Sequence, residues 1–321
     1  MREELFKNCT LCPRKCNVNR LEGKRGYCGM DSTIRAARAA LHMWEEPCIS
    51  GKKGSGAVFF SGCGLRCCFC QNRDIAIGDS GKEISVERLA EIFLELQEKG
   101  AANLNLVTGA HYVPHIISAL ELARGKGMNL PVVYNSSGYE SVETIRRLDG
   151  YVDVYLPDMK YMEPELAAAF SNARDYPQAA QSAIAEMMRQ TGPCQFAEDG
   201  YIKRGTIVRH LILPGHTKNS IAVLKYLYRT YGEDIFISVM NQYTPVWKNE
   251  KFPELNRKVT RREYEKVLDA AIELGIENGY FQEGETAEES FIPAFDYEGK
   301  SIMHESDDIV PEDICGDFEV E

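Results

Sequence analysis

From residue 57 onward the chain alternates short apolar runs with longer amphipathic stretches. The runs 57–61, 104–108, 131–135, 152–156, 207–213 and 235–240 read as strands. Between them, Val86, Leu89, Ala90, Phe93 and Leu96 recur at helical spacing, with Ser85 as a partial N-cap signal. Further helices are predicted at 112–124, 140–148, 175–191, 218–231 and 260–274. Strands regularly separated by helices require crossover connections and therefore a parallel sheet. Six units are too few for a closed eightfold barrel, so the predicted fold is α/β: an open, partial six-stranded parallel β/α barrel. A doubly wound sheet has the same periodicity and is the alternative.

The remaining regions lack this rhythm. Residues 1–30 are rich in Cys, Lys, Arg and Gly and carry no period long enough for a core, so they form a cysteine-rich arm that a metal or a neighbouring domain must order. Residues 31–56 read as a connecting segment ending in the loop-like Gly51-Lys52-Lys53-Gly54-Ser55-Gly56, and 57–302 as the barrel core. Residues 303–321 form an acidic tail with eight acids and no Lys or Arg. The tail explains most of the net charge of -11, a sign that disfavours nucleic-acid binding. Residues 1–8 are short and polar, and no apolar run approaches a membrane span, so the expected location is cytoplasmic. In a reducing compartment, 11 cysteines point to metal ligation or catalysis rather than to disulfides.

The first predicted strand runs straight into Gly62-Cys63-Gly64-Leu65-Arg66-Cys67-Cys68-Phe69-Cys70. Cys63, Cys67 and Cys70 are spaced C-x3-C-x2-C, in the loop position where β/α barrels carry their chemistry. Thiolates are the natural ligands of a 4Fe–4S cluster, and three of them leave one iron open. A zinc loop is the bland alternative, although zinc prefers four ligands. Cys68 reads as packing. A second set, Cys9, Cys12, Cys16 and Cys28, supplies four thiolates within twenty residues, enough to close a zinc site or a second iron–sulfur cluster. Cys48, Cys194 and Cys315 stand isolated.

The other strand ends are polar. Thr108-Gly109-Ala110-His111, Asn135-Ser136-Ser137, Asp158-Met159-Lys160, Arg209-His210 and Asn241-Gln242-Tyr243 each fall at or near one. Gly109 permits close backbone approach, and Asn135, Ser136 and Ser137 supply hydrogen bonds for a ribose or a carboxylate. Lys160 can neutralise a carboxylate, and Asp158 can hold an ammonium group or orient Lys160. His111 and His115 share a helix face. His111 is expected near the cofactor and His115 on the helix surface or in the core.

The cysteine triplet resembles that of the radical S-adenosylmethionine superfamily. That resemblance implies that the cofactor binds the open iron and is cleaved reductively to a 5′-deoxyadenosyl radical that abstracts hydrogen. It also implies that Phe69 packs near the adenine. Asp158-x-Lys160 and Arg209-x5-Gly215 resemble motifs of the enzymes that activate glycyl-radical proteins, pyruvate formate-lyase activating enzyme among them. Where those carry a Gly-Gly-Glu type motif, this chain has Thr108-Gly109-Ala110-His111. It is similar over nearly its full length to a sister group of activating-enzyme-like radical proteins, including the Trp44-Glu45-Glu46-Pro47 stretch.

Position at the strand ends marks Thr108, Gly109, Asn135, Ser136, Ser137 and Asn241, and the resemblance adds Phe69, Asp158, Lys160 and Arg209, as the residues expected to bind S-adenosylmethionine. The expected partners are a glycyl-radical protein and a flavodoxin or ferredoxin as electron donor. Two alternatives stay open: a radical enzyme that modifies a small molecule, and a non-catalytic iron–sulfur or zinc protein.

Overall fold

The computed structural model describes residues 4–282 apart from 79 and 247; the acidic tail and Cys315 lie outside the described residues. Ten strands pair into one sheet: β1 Ile34–His42, β2 Ser55–Phe60, β3 Lys82–Ile84, β4 Leu104–Val107, β5 Val132–Ser136, β6 Val154–Pro157, β7 Gln195–Phe196, β8 Ile202–Leu211, β9 Phe236–Met240 and β10 Gly279–Phe281. Their order is β10-β9-β8-β6-β5-β4-β2-β1-β3, with β7 a short hairpin partner of β8. From β2 to β10 every neighbouring pair along this order is parallel. β10 and β3 do not pair, so the sheet is open, as the pattern of alternating strands and helices predicts.

The helices are α1 Glu4–Lys7, α2 Pro47–Ser50, α3 Arg73–Ala76, α4 Val86–Glu98, α5 Val113–Gly125, α6 Val142–Arg147, α7 Pro164–Ser171, α8 Tyr176–Thr191, α9 Thr217–Tyr231 and α10 Arg261–Leu274. Ser85 caps α4 by accepting from the Arg88 N–H, and Thr260 with Glu263 forms a complete capping box on α10. α4 buries Leu89, Ala90, Ile92, Phe93 and Leu96, each fully burying side chain of Leu or Phe size contributing about 1.5–3 kcal/mol. No helix among the described residues is long and apolar enough to cross a membrane.

Two features differ from the sequence expectation. Residues 31–56 are more than a connection: β1 lies antiparallel on β2 and continues the sheet past the barrel's first strand. After β1, the chain turns into the concave side. There Cys48 and Ile49 of α2 pack against Val133, Val154, Leu156 and Ile207, which alternate along β5, β6 and β8 on the inner face. Asn103 locks this insert by donating to the Ile49 carbonyl at 2.7 Å. The insert fills one end of the half-barrel and leaves the carboxyl ends of the strands facing a cavity. The second difference is β10, a seventh parallel strand beyond the six expected.

Candidate functional site

Strand alternation decides which polar residues reach the cavity. In β5, Val133 faces inward, so Asn135 does too; the same parity carries Leu156 to Asp158 and Ile207 to Arg209. Asp158, just past the end of β6, forms an isolated parallel bridge with Arg209 of β8. These side chains, with Lys160, Cys67, Phe69 and Cys70, line a cavity of about 240 Å³.

Arg209 organises the floor. Its Nε donates to Asp158 Oδ1 at 3.1 Å, Nη1 to Glu45 Oε2 at 3.1 Å and Nη2 to Asn135 Oδ1 at 2.6 Å. Lys160 Nζ donates to the second Asp158 oxygen at 2.5 Å. Glu45 Oε1 accepts from Asn105 at 3.0 Å and from Asn135 at 3.1 Å. Burial alone would push the Asp158 carboxyl up, but Lys160 and Arg209 outweigh it and hold the group below its ordinary range. Burial likewise works against charge on Lys160, and Asp158, with Cys67 behind it, reverses the sign and raises its pKa. The result is a fixed array of two cations and two carboxylates in a largely buried wall, oriented before any ligand arrives.

The thiol loop closes the other side. Cys67 is half-buried, and its Sγ accepts from Ser171 Oγ at 2.9 Å. Burial is the largest cause that pushes Cys67 up to about 11 and Cys70 up to about 12, with the neighbouring thiols adding to it. A metal partner would remove those protons, because ligating thiols bind as thiolates. Phe69 meets Phe170 and Tyr243 edge-on at 6.3 and 6.2 Å between ring centroids, presenting an aromatic wall beside the thiols. Cys68 is exposed and so does not pack as expected.

Of the residues expected to bind a cofactor, Phe69, Asn135, Asp158, Lys160 and Arg209 line the cavity. Others work elsewhere. Thr108 takes a left-handed φ of 61° and donates its N–H to the Asn135 carbonyl at 2.9 Å. Gly109 is needed for packing, because a Cβ there would stand 2.6 Å from Ile116 Cδ1. Ser136 Oγ accepts from the Gly138 N–H at 3.2 Å, and the Ser137 carbonyl accepts from Tyr176 at 2.8 Å. Asn241 is held through its N–H by Gln282 at 3.0 Å. His111 is buried under the loop and bonds the Ser61 carbonyl at 2.7 Å, outside the cavity lining. His115 stacks on Phe6 at 4.6 Å.

Sequence reasoning missed His42, Trp44 and Glu45, which enter the cavity from the end of β1 and the turn beyond it. It also missed Met240 at the end of β9, and at the polar strand end 241–243 it chose Asn241 where Gln242 lines the cavity. The signal was present for Glu45, an acid in a stretch quoted only for its likeness, but the inward turn of that stretch follows from tertiary packing.

The profile of the Radical SAM superfamily matches residues 57–227. An uncharacterized protein of Methanocaldococcus jannaschii is 30% identical over 276 residues, 84% of this chain and 75% of that protein. The pyruvate formate-lyase-activating enzyme of Clostridium pasteurianum is 27% identical over 113 residues, 34% of this chain and 46% of that enzyme. Among solved structures, anSMEcpe with bound AdoMet superposes with a TM-score of 0.46 at 12% identity, covering 66% of this chain and 57% of that one. SuiB of Streptococcus suis superposes with a TM-score of 0.43 at 13% identity, covering 72% and 48%. The chain thus spans about half the length of these two structures.

The residues present suit the groups this family uses. Three thiols lie on one loop, two of them opening on the cavity, and thiolates are the ligands of iron–sulfur clusters. Asp158, Lys160 and Arg209 offer both signs of charge to a zwitterionic ligand beside an aromatic ring.

Proposed function

Because this chain belongs to the radical SAM superfamily, we propose that it cleaves S-adenosylmethionine reductively at a cluster on Cys63, Cys67 and Cys70 and abstracts hydrogen from a glycine of a partner polypeptide. The observation that carries the proposal is the array of Asp158, Lys160 and Arg209 around the cavity onto which Cys67 and Cys70 open. When bound, the cluster and cofactor supply one-electron cleavage of the sulfonium and a 5′-deoxyadenosyl radical; the protein supplies binding, orientation and shielding.

In this reading Lys160 and Arg209 would hold the cofactor's carboxylate, and Asp158 and Asn135 its ammonium and hydroxyl groups. Phe69 would flank the adenine. Ser171 keeps a hydrogen bond on Cys67 and so tunes that ligand. The buried floor of Glu45 and Arg209 keeps the array fixed and excludes water from one side. A glycine target is supported by the partial match to the activating enzyme of C. pasteurianum and by the Asp158-x-Lys160 and Arg209 motifs.

A second reading, a small-molecule substrate, is favoured by the modest volume of the cavity, about 240 Å³. The test is anaerobic reduction with dithionite, addition of S-adenosylmethionine and assay of 5′-deoxyadenosine, with Cys67→Ala as control. Product from the wild type alone is expected; its absence from a fully reconstituted protein would overturn the reaction class. Electron paramagnetic resonance on added glycyl-radical proteins then separates the two substrates, because only the first reading yields a glycyl signal.

A further inference from the structure

The arm before β1 holds Cys9, Cys12, Cys16 and Cys28, thiols that the reaction above does not use. Its backbone draws them together. The Cys9 N–H donates to the Val18 carbonyl at 3.1 Å, the Asn17 N–H returns to the Cys9 carbonyl at 3.0 Å, and the Lys15 N–H donates to the Cys12 carbonyl at 3.0 Å. Lys15 and Asn17 both adopt left-handed φ, 42° and 54°, the tight winding that a ligand knuckle needs. The Tyr27 N–H donates to Cys16 Sγ at 3.2 Å. Gly26 leaves room between two thiols: a Cβ there would sit 3.3 Å from Cys16 Sγ and 3.8 Å from Cys28 Sγ. All four are free cysteines.

A second observation points to an anionic group among them. Arg20 is fully buried and pairs with no carboxylate among the described residues. Its Nη1 donates to the His111 carbonyl at 2.6 Å and lies 4.0 Å from Cys9 Sγ, while its Nε is buried without a partner. Its Nη2 donates to the Asp31 carbonyl, and the Phe6 and Tyr112 rings flank it at 5.0 and 5.7 Å, but none of these neighbours carries a negative charge. A buried guanidinium without an anionic partner is costly, whereas thiolates bound to a metal would supply the missing negative charge.

The arm is also seated on the loop that carries Cys63 and Cys67. Arg14 donates to the carbonyls of Gly64 at 2.8 Å, Ser171 at 3.1 Å and Asn172 at 2.5 Å. Its guanidinium lies 4.0 Å from the Tyr27 ring centre. Cys12 Sγ lies 3.7 Å from the position a Cβ on Gly64 would take. Adjacent Cα atoms are about 3.8 Å apart, so the Cys12 thiol lies within roughly 12 Å of that of Cys63. Neither cysteine set closes around a single-ion position among the described residues. Four thiolates on one zinc would stand about 3.8 Å apart, whereas a cubane spreads its ligands over separate irons.

We infer that the arm holds a second iron–sulfur cluster, ligated by Cys9, Cys12, Cys16 and Cys28 and placed to pass electrons to the loop. The metal assignment stands apart from the reaction proposed above; the relay rests on the loop holding the first cluster. One electron leaves a reduced flavodoxin or ferredoxin, enters the arm cluster and moves on to the loop cluster. The donor is oxidised by one electron, the loop cluster is reduced by one, and the arm cluster returns to its starting state with no atom transferred.

The test compares anaerobically purified full-length protein with the Cys63→Ala/Cys67→Ala/Cys70→Ala and Cys12→Ser/Cys28→Ser variants, read by iron, sulfide and zinc content and by electron paramagnetic resonance after reduction. The loop variant is expected to keep about four irons and about four sulfides per chain and a reducible cluster signal. Zinc without iron in that variant, or a soluble variant with no metal, would overturn the inference. If the loop variant does not fold, the arm variant decides: its iron is expected to fall from about eight to about four per chain, and an unchanged content overturns the inference. Iron retained in the loop variant but absent from the arm variant would sink the reaction proposal and leave the arm assignment standing. For the relay, a reduced ferredoxin is expected to reduce the loop cluster of the wild type and to fail with the arm variant, while dithionite reduces both. Equal reduction of both by ferredoxin would refute the relay.

Discussion

Replacing Asp158 by Asn is expected to strand two cations. The carboxylate accepts from Lys160 at 2.5 Å and from Arg209 at 3.1 Å, with all three side chains no more than 17% exposed. Removing one member of a buried ion pair costs about 3–5 kcal/mol, because the remaining charge is left uncompensated. Arg209 keeps Glu45 at 3.1 Å and Asn135 at 2.6 Å, so the loss falls mainly on Lys160. The expected cost is therefore near the lower end, about 3 kcal/mol. At about 2–4 °C per kcal/mol for domains of this order, the melting temperature of the anaerobic holoprotein should drop by roughly 6–12 °C. The decisive comparison is the double variant Asp158→Asn/Lys160→Met. Removing the orphaned ammonium should restore stability, so the double variant should melt above Asp158→Asn alone. The assay is thermal melting followed by far-ultraviolet circular dichroism, with iron content measured alongside. A double variant that melts below both single variants, or an Asp158→Asn protein that melts with the wild type, would refute the reasoning that Asp158 neutralises buried charge.

Other outcomes follow from single contacts. Ser171→Ala removes the 2.9 Å hydrogen bond to Cys67 Sγ and should lower the midpoint potential of the loop cluster by roughly 20–60 mV, read by redox titration; an unchanged potential would show that this bond does not tune the ligand. Gly138→Ala should be poorly tolerated, because φ is +75° and the added Cβ would meet the Asp158 carbonyl at 2.1 Å. Gly150→Ala has a similar φ of +80° with open space around it, so the two variants separate clash from backbone strain; equal urea midpoints would contradict the geometry.

His111 and His210 supply a pH dependence. Burial is the main cause that lowers them to about 3 and about 4. Their folded values lie below the unfolded 6.5, so the unfolded chain takes up the protons first. Stability should be full above pH 6.5 and should fall as pH drops toward 4, approaching about 1.4 kcal/mol per pH unit for each histidine. Urea midpoints across this range should fall less steeply for His210→Gln than for the wild type; parallel slopes would exclude His210 from the effect.

The barrel was legible because parallel strands are buried on both faces and therefore appear as unbroken apolar runs. In β2, Ser55–Phe60 is buried at every position. β1 escaped notice because its sequence, Ile-Arg-Ala-Ala-Arg-Ala-Ala-Leu-His, sets small and charged residues on a strand whose inner positions need little volume. The cavity lining was legible where alternation could be continued past a strand end, as from Val133 to Asn135 and from Leu156 to Asp158. Polarity alone did not tell which strand-end residues reach the cavity. Ser136 falls on the opposite parity from Asn135 and serves a turn, and Gly109 exists for Ile116. Polar chemistry at a strand end carries no direction until the inward face has been counted.

Glu45 shows what counting cannot supply. It sits outside the matched 57–227 segment, yet it closes the second side of Arg209 and ties Asn105 to Asn135. No local rule places it there. It arrives because β1 pairs with β2 and the chain then folds α2 against the inner faces of β5, β6 and β8. The same pairing carries the arm, which joins β1 at its start, to the thiol loop at the end of β2, where Gly62 admits the Cys28 carbonyl and Met30 into the space a side chain would fill. One antiparallel strand added to a parallel barrel thus delivers an acid to the cavity floor from one end and four thiols to the loop of Cys63, Cys67 and Cys70 from the other. The elements outside the barrel act on the site through β1, and shortening or unpairing β1 should disturb both ends together.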